Sequence, residues 1–264
     1  MSLKGSGLTI GYGRTAVGSG IDVALESGQI LCLLGPNGCG KTTLFKTLLG
    51  LIPALAGTVE IAGDNLSSLS REEVARRVAY VPQSHAPPFP FEVLDIVLMG
   101  RTARIGRFSS PGAADRDKAL QALDMLGIAD LAGRDYSRLS GGQRQLVLVA
   151  RALAQETHSI VMDEPTASLD FGNQMRVLAQ IAALAHSDAG QRYGIVLSTH
   201  NPDQAFMLGA DVVLMKGGGI VGTGAPETVL TGAALSSVYE IPVSVEKTAD
   251  GRFVCLPVLG RESA

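Results

Sequence analysis

Tryptophan is absent from this 264-residue chain, and phenylalanine and tyrosine bring the aromatic share to only 5%. Its core must therefore be built from smaller residues. With 46% hydrophobic residues and 32 glycines, a composition rich in Ala, Leu, Val and Gly points to tight α/β packing rather than disorder. Cysteine is scarce too. Cys32, Cys39 and Cys255 are odd in number, irregularly spaced and without a CxxC pair. That excludes a disulfide framework and a cysteine zinc site, and suits a reducing compartment. No run approaches the roughly 18 apolar residues of a membrane span. The opening "MSLKGSGLTIGYGRT" also lacks the apolar stretch of a signal peptide. The expected location is the cytosol, with any membrane link made through a partner. No basic block appears: 22 basic and 25 acidic residues leave a net charge of −3. The mixed clusters "REEVARR" and "GRTARIGR" read as solvated faces, so no nucleic-acid partner is expected.

What is present alternates between strand and helix. "QILCLLG" is a nearly continuous apolar run ending in Gly35, as in a buried parallel strand. "GKTTLFKTLLGL" follows with helical spacing at Leu44, Leu48 and Leu51. "GTVEIAG" alternates like a strand, "SREEVARRV" opens with a Ser70–Glu73 capping box, and "VAYVPQ" is a strand stopped by Pro82. "SHAPPFPFE" is too rich in proline for regular structure and reads as a hinge or boundary. From there to about Gln155 the pattern is helical, with Ala119, Leu120, Leu123 and Leu126 expected on one face and Gly127 near its end. "SIVMDEP" returns to strand, "FGNQMRVLAQIAALAH" to helix, "YGIVLSTH" to strand, and "ADVVLMKGGGIVGTG" to a glycine hairpin. Strand-like pieces follow residue 236. The expected organisation is an α/β core at residues 1–235 with a helical subdomain at about 86–155 spliced into it, and a small extension at 236–264.

Three stretches carry chemistry. "GPNGCGKT", from Gly35 to Thr42, fits G-x-x-x-x-G-K-[ST] between an apolar strand and a helix. The glycines let backbone N–H groups converge on phosphate oxygens, and the helix start adds its positive dipole end. Lys41 supplies a mobile charge and Thr42 a hard oxygen for Mg²⁺. In "SIVMDEP" the apolar strand ends on Asp163 and Glu164. Carboxylates at the carboxyl edge of a sheet stand where open α/β folds bind ligands. Asp163 can hold Mg²⁺, and Glu164 can orient or deprotonate a water. "LSGGQRQ" is a second phosphate-gripping grouping: Ser140 can cap a helix, and Gly141 and Gly142 allow close backbone approach.

These pieces together resemble an ATP-binding-cassette ATPase, the motor subunit of ABC transporters. "GPNGCGKTT", "YVPQ", "LSGGQRQ", "IVMDEPTASLD" and "LSTH" occur in that family's order, over about residues 8 to 225. The resemblance implies a P-loop NTPase (RecA-like) α/β core, an antiparallel β subdomain and the inserted α-helical subdomain. It implies ATP and Mg²⁺ as cofactors, and a homodimer closing head to tail over ATP. Nucleotide would then be held by Tyr12 (against adenine), Gly35, Pro36, Asn37, Gly38, Cys39, Gly40, Lys41, Thr42 and Thr43. The partner copy would add Ser140, Gly141, Gly142 and Gln143, with Asp170 of "SLD" at the seam. Thr42, Gln83 and Asp163 would serve Mg²⁺. Glu164, His200, Gln83 and Lys41 would carry catalysis. The family often has Ser at the position of Cys39. A thiol beside a helix start and Lys41 is expected to have a lowered pKa, so maleimide is expected to inactivate the protein and MgATP to protect it.

A chain without fused spans resembles prokaryotic import subunits, placed on the inner face of the membrane by a separate permease and served indirectly by a substrate-binding protein. "YVPQSHAPPFPFEVLDIVLMGR" and "LTGAALSSVYEIPVSV" look like the subgroup that imports iron–siderophore complexes, haem, cobalamin or molybdate. Phe89, Phe91 and Val93 are candidates to line the groove for the permease helix. A cytosolic ABC ATPase without a transporter, as in iron–sulfur assembly, stays open as the alternative.

Overall fold

A computed structural model of the protein describes residues 2–83, 90–105, 109–186 and 192–258. The first half of the chain forms β1 (Leu3–Tyr12), β2 (Thr15–Leu25), β3 (Ile30–Leu34), α1 (Lys41–Leu48), β4 (Ala56–Ile61), β5 (Asp64–Asn65), α2 (Arg71–Ala75), β6 (Val78–Val81), α3 (Val93–Leu98) and α4 (Ala113–Met125). The second half forms α5 (Gly141–Ala154), β7 (Ser159–Met162), α6 (Phe171–Ala185), β8 (Gly194–Thr199), α7 (Asp203–Leu208), β9 (Asp211–Lys216), β10 (Gly219–Gly224), α8 (Pro226–Val229), α9 (Gly232–Tyr239), β11 (Val243–Lys247) and β12 (Phe253–Pro257).

The central sheet runs β10-β9-β3-β8-β7-β6. Only the β9–β10 hairpin is antiparallel within it. Strand β3 is buried throughout, and its alternation divides the molecule into layers. Ile30, Cys32 and Leu34 face one apolar cluster, shared with residues of α3 to α7 and α9. Leu31 and Leu33 face the other, with Leu44, Phe45 and Leu48 of α1 and the apolar side of a second sheet ordered β2-β1-β4-β5. A strand apolar on both faces can be covered on both faces, which is why this one reads as a continuous hydrophobic run.

Residues 3–25, given no element by the hydrophobic pattern, form the two longest strands. Irregular register between Gly5 and Leu8, Leu8 and Ile10, and Ile10 and Gly11 interrupts the period of two that marks a strand. The Ser70–Glu73 capping box is present as read. Two core expectations are corrected. Leu51 lies beyond the end of α1 and is 57% exposed, and Leu120 on α4 is 37% exposed while Ala122 takes its place in the core. In both cases 3.6-residue spacing selects a helix face but not where the covering layer stops.

Helices α3, α4 and α5 form the inserted helical layer. Buried Arg101 ties it together, pairing with Asp115 at 3.0 Å and Glu156 at 2.7 Å and donating to the Ala154 carbonyl. "SHAPPFPFE" lies mostly outside the described residues, as does Phe89 within it. At the C-terminal end β11 and β12 pair as an antiparallel hairpin. The boundary expected after residue 235 falls inside α9, which packs with Val243, Val245 and Cys255 against the main core.

Candidate functional site at the sheet edge

Parallel pairing sets the site. Leu34 is level with Thr199, Leu197 with Met162, and Met162 with Val81. The segments leaving β3, β8, β7 and β6 therefore emerge side by side at one carboxyl edge. They carry the loop 35–42, His200, Asp163–Glu164 and Gln83.

The loop after β3 closes on itself. Lys41 is 5% exposed, and its Nζ donates to the carbonyls of Gly35 at 2.7 Å and Pro36 at 3.1 Å. Helix α1 starts at Lys41 with Gly40 as its cap and no side-chain cap hydrogen bond. Its first amides have no partner within the helix, so they are donors for an anion at the helix start. Gly35 is required by crowding: a Cβ there would stand 2.4 Å from the Met215 carbonyl oxygen. Thr42 is exposed at the start of α1 and Thr43 is buried. Tyr12 is 49% exposed, with Lys46 Nζ 5.9 Å from its ring centroid. A hydrogen bond from Thr43, aided by Lys46, draws the phenol below its ordinary pKa. An open aromatic face thus stands beside the start of α1.

Cys39 is corrected. Its side chain is 4% exposed, and burial raises the thiol pKa against the opposing pull of Lys41. Desolvation disfavours the thiolate more than the lysine favours it, so the expected reactive thiol is not there.

The carboxylates are separated in role by one residue. Asp163 is 3% exposed and accepts a hydrogen bond from Ser198 Oγ at 2.7 Å, while the Glu164 N–H donates to the same Ser198 oxygen at 2.9 Å. Burial, then the charge of Asp163 and a hydrogen bond to it, pushes the Tyr80 phenol up to about 12, so Tyr80 is a second neighbour of that carboxylate and is protonated at neutral pH. Glu164 takes φ = +46°, a conformation that side chains other than glycine adopt at a cost of about 1–3 kcal/mol. This turns its carboxylate away from Asp163 and toward Gln83, whose Nε2 donates to Glu164 Oε2 at 2.9 Å. His200 Nδ1 is 3.9 Å from the same oxygen. Ser198 and Tyr80 were not singled out from the sequence. Both stand in quoted stretches, "LSTH" and "YVPQ", but only strand alignment shows that they reach Asp163.

The donor set at this edge suits Mg²⁺. The Thr42 hydroxyl, Asp163 carboxylate and Gln83 amide oxygen are hard ligands. Asp163 has about four acceptor positions, so its hydroxyl neighbours leave room for an ion. No group of three or more His, Cys, Asp or Glu that could hold a metal occurs among the described residues. That matches an ion completed by water and substrate phosphate oxygens better than one caged by protein.

A second group forms elsewhere. Ser140 caps α5 in a reciprocal box: its Oγ accepts from the Gln143 N–H and its own N–H donates to Gln143 Oε1. A Cβ on Gly142 would stand 2.4 Å from Asn173 Cγ. Asn173 is itself gripped by Asp170, which caps α6 and accepts from Asn173 N at 2.9 Å and Nδ2 at 2.7 Å. So Ser140, Gly141, Gly142, Gln143 and Asp170 make one surface. Among the described residues no hydrogen bond or ion pair joins that surface to the loop 35–42.

Comparison with known proteins identifies the family. The sequence profile described as "ABC transporter" matches residues 19–167. An uncharacterized ABC transporter ATP-binding protein of Haemophilus influenzae is 51% identical over 216 residues, covering 81% of this chain and 80% of that protein. A cobalamin import ATP-binding protein of Halobacterium salinarum is 37% identical over 267 residues; the match covers 100% of this chain and 65% of that protein. A solved metal-chelate type ABC transporter in an inward-facing conformation aligns with a TM-score of 0.86 and 34% identity over 98% of each chain. On the profile, the relatives and the fold alike, this chain belongs to the ABC transporter family, among its ATP-binding ATPase subunits.

Proposed function

We propose that the chain powers an importer of a metal chelate, working as a head-to-tail pair beneath a membrane permease. The observation that carries the catalytic part is the hydrogen bond from Gln83 to Glu164 Oε2, with the His200 imidazole 3.9 Å from the same oxygen, at the edge that also holds the Lys41 loop. The β- and γ-phosphates of ATP lie along the loop 35–43 and meet Lys41 and the first amides of α1. Tyr12 stacks on the base. Thr42, Asp163 and Gln83 hold Mg²⁺, which when bound neutralises phosphate charge. Glu164 orients the attacking water and accepts its proton, while His200 steadies the γ-phosphate end of the site. In-line phosphoryl transfer asks mainly for positioning and charge neutralisation, which this arrangement offers. The surface made by Ser140, Gly141, Gly142, Gln143 and Asp170 stands apart from that pocket and serves the pocket of a second copy.

The cargo assignment rests on the relatives, whose names give cobalamin and a metal-chelate type. They favour an importer over the non-transport ATPase. No helix among the described residues is long and apolar enough to cross a membrane. Cargo passage falls to a permease, and the chain sits peripherally beneath it in the cytoplasm. For that contact Phe91 lines a hollow of about 1040 Å³ with Asp95, Leu98, Met99 and Thr102. Val93, expected beside it, is 0% exposed and belongs to the core. The decisive variant is Glu164→Gln. Its turnover should fall at least about a hundredfold while nucleotide binding persists and ATP holds it as a dimer on a sizing column. Turnover near that of the parent protein removes Glu164 from its role.

A further inference from the structure

The α9–β11–β12 unit supplies none of the phosphate ligands, yet it fastens on the segment that carries His200. The Tyr239 hydroxyl, at the end of α9, donates to the His200 backbone carbonyl at 3.2 Å. The Cys255 N–H donates to Asp203 Oδ1 at 2.8 Å. The Phe253 ring stacks on Phe206 with centroids 5.2 Å apart and an 18° interplanar angle. Helix α9 is in turn anchored beside the phosphate loop. Lys216 Nζ donates to the Ser237 carbonyl and pairs with Glu240 at 3.2 Å, next to Met215, whose carbonyl crowds Gly35.

The His200 side chain needs such support. It is 55% exposed, and its 3.9 Å separation from Glu164 is too long for a hydrogen bond. Its place is set by its backbone. On one side the Asn201 N–H is held by Thr199 Oγ1, which bonds buried Gln204. On the other, a hollow of about 200 Å³ lies between residues 200–203 and the hairpin, lined by Leu235, Tyr239 and Val243 among others. Packing there leaves room for the segment to shift, so a directional bond counts for more. Burial pushes the Tyr239 hydroxyl up to about 12, with the backbone of Gly35 acting in the opposite direction on the same group. It therefore stays a protonated donor at neutral pH.

We infer that Tyr239 is a positioning residue for ATP hydrolysis. By holding the His200 carbonyl it fixes the backbone from which the imidazole is presented to Glu164 and the γ-phosphate. The C-terminal unit is thus a brace for catalysis as well as a structural appendage. This rests on the role proposed above for His200.

Tyr239→Phe removes only the donated proton and keeps the ring. In the full chain, kcat for ATP hydrolysis should fall about fivefold with KM for ATP within about twofold, the size set by one lost hydrogen bond. In a His200→Ala background the same change should do nothing further, since the two act in series. The histidine-labelled protein should show a shifted His200 imidazole carbon resonance in Tyr239→Phe, a readout independent of turnover and of stability. Unchanged kcat in Tyr239→Phe, or an equal loss in both backgrounds, overturns the inference while leaving the role of His200 intact. If His200→Ala hydrolyses ATP at the parent rate, the role of His200 itself fails and the brace loses its purpose.

Discussion

Cys39 shows how little a residue's neighbours in sequence say about its chemistry. A helix start and a lysine both favour a thiolate, but a side chain 4% exposed loses more in desolvation than it gains. Because its thiol titrates above the ordinary value, the nucleophilic form is depleted at neutral pH. Maleimide should therefore modify Cys39 of the folded chain far more slowly than the same cysteine in denaturant, measured by mass spectrometry of the labelled peptide. Equal rates would show that the thiol is open. Glu164 is the opposite case. Its carboxylate was legible from its place at the end of an apolar strand. Its φ of +46° was not, because the groups that hold Glu164 in that turn, Ser198 and Gln83, come from distant parts of the chain.

At the scale of elements, the start of α5 is held in place by the start of α6. Gly142 leaves only enough room for Asn173, so Gly142→Ala must displace Asn173 from Asp170. The expected cost is about 1–3 kcal/mol, typical of overpacking, seen as a lower Tm together with lower turnover; an unchanged Tm would mean that Asn173 swings aside freely. The helical layer depends on charge in a pH-dependent way. Burial works to raise the pKa of Glu156, but Lys118 and Arg101 outweigh it and the pKa is lowered. A carboxylate with a folded pKa below its unfolded one contributes its full stabilisation above the ordinary Glu range, and loses it as pH falls through the lowered value. The Tm gap between the parent chain and Glu156→Gln should therefore be widest near neutral pH and close as the solution is acidified below about pH 4. Parallel curves would mean that the charge of Glu156 adds nothing to stability.

For the whole molecule, the separation of the 140–143 surface from the 35–42 loop has a stoichiometric consequence. If each pocket combines the loop of one copy with the helix start of the other, a pair of Lys41→Ala with Ser140→Ala subunits has one pocket doubly damaged and one intact. Random 1:1 mixing makes half the pairs mixed, each with half the pockets, so about a quarter of the parent ATPase rate should return from two inactive preparations. No recovery on mixing, or full activity in a form shown to be monomeric, would defeat the paired arrangement.

The sequence by itself determined the ingredients: a glycine loop between strand and helix, carboxylates ending an apolar strand, and a serine cap with two glycines. Each is written in consecutive residues because each depends on local backbone geometry and hydrophobic period. It could not show strands β1 and β2, whose bulges break the alternation, or which leucines the outer layers cover. Only the tertiary structure decided that Ser198 and Tyr80 stand beside Asp163 and that Tyr239 reaches the His200 carbonyl. The physical reason is that parallel register and the packing of the C-terminal hairpin bring together residues from distant strands and helices, and burial then settles which of their groups stay protonated.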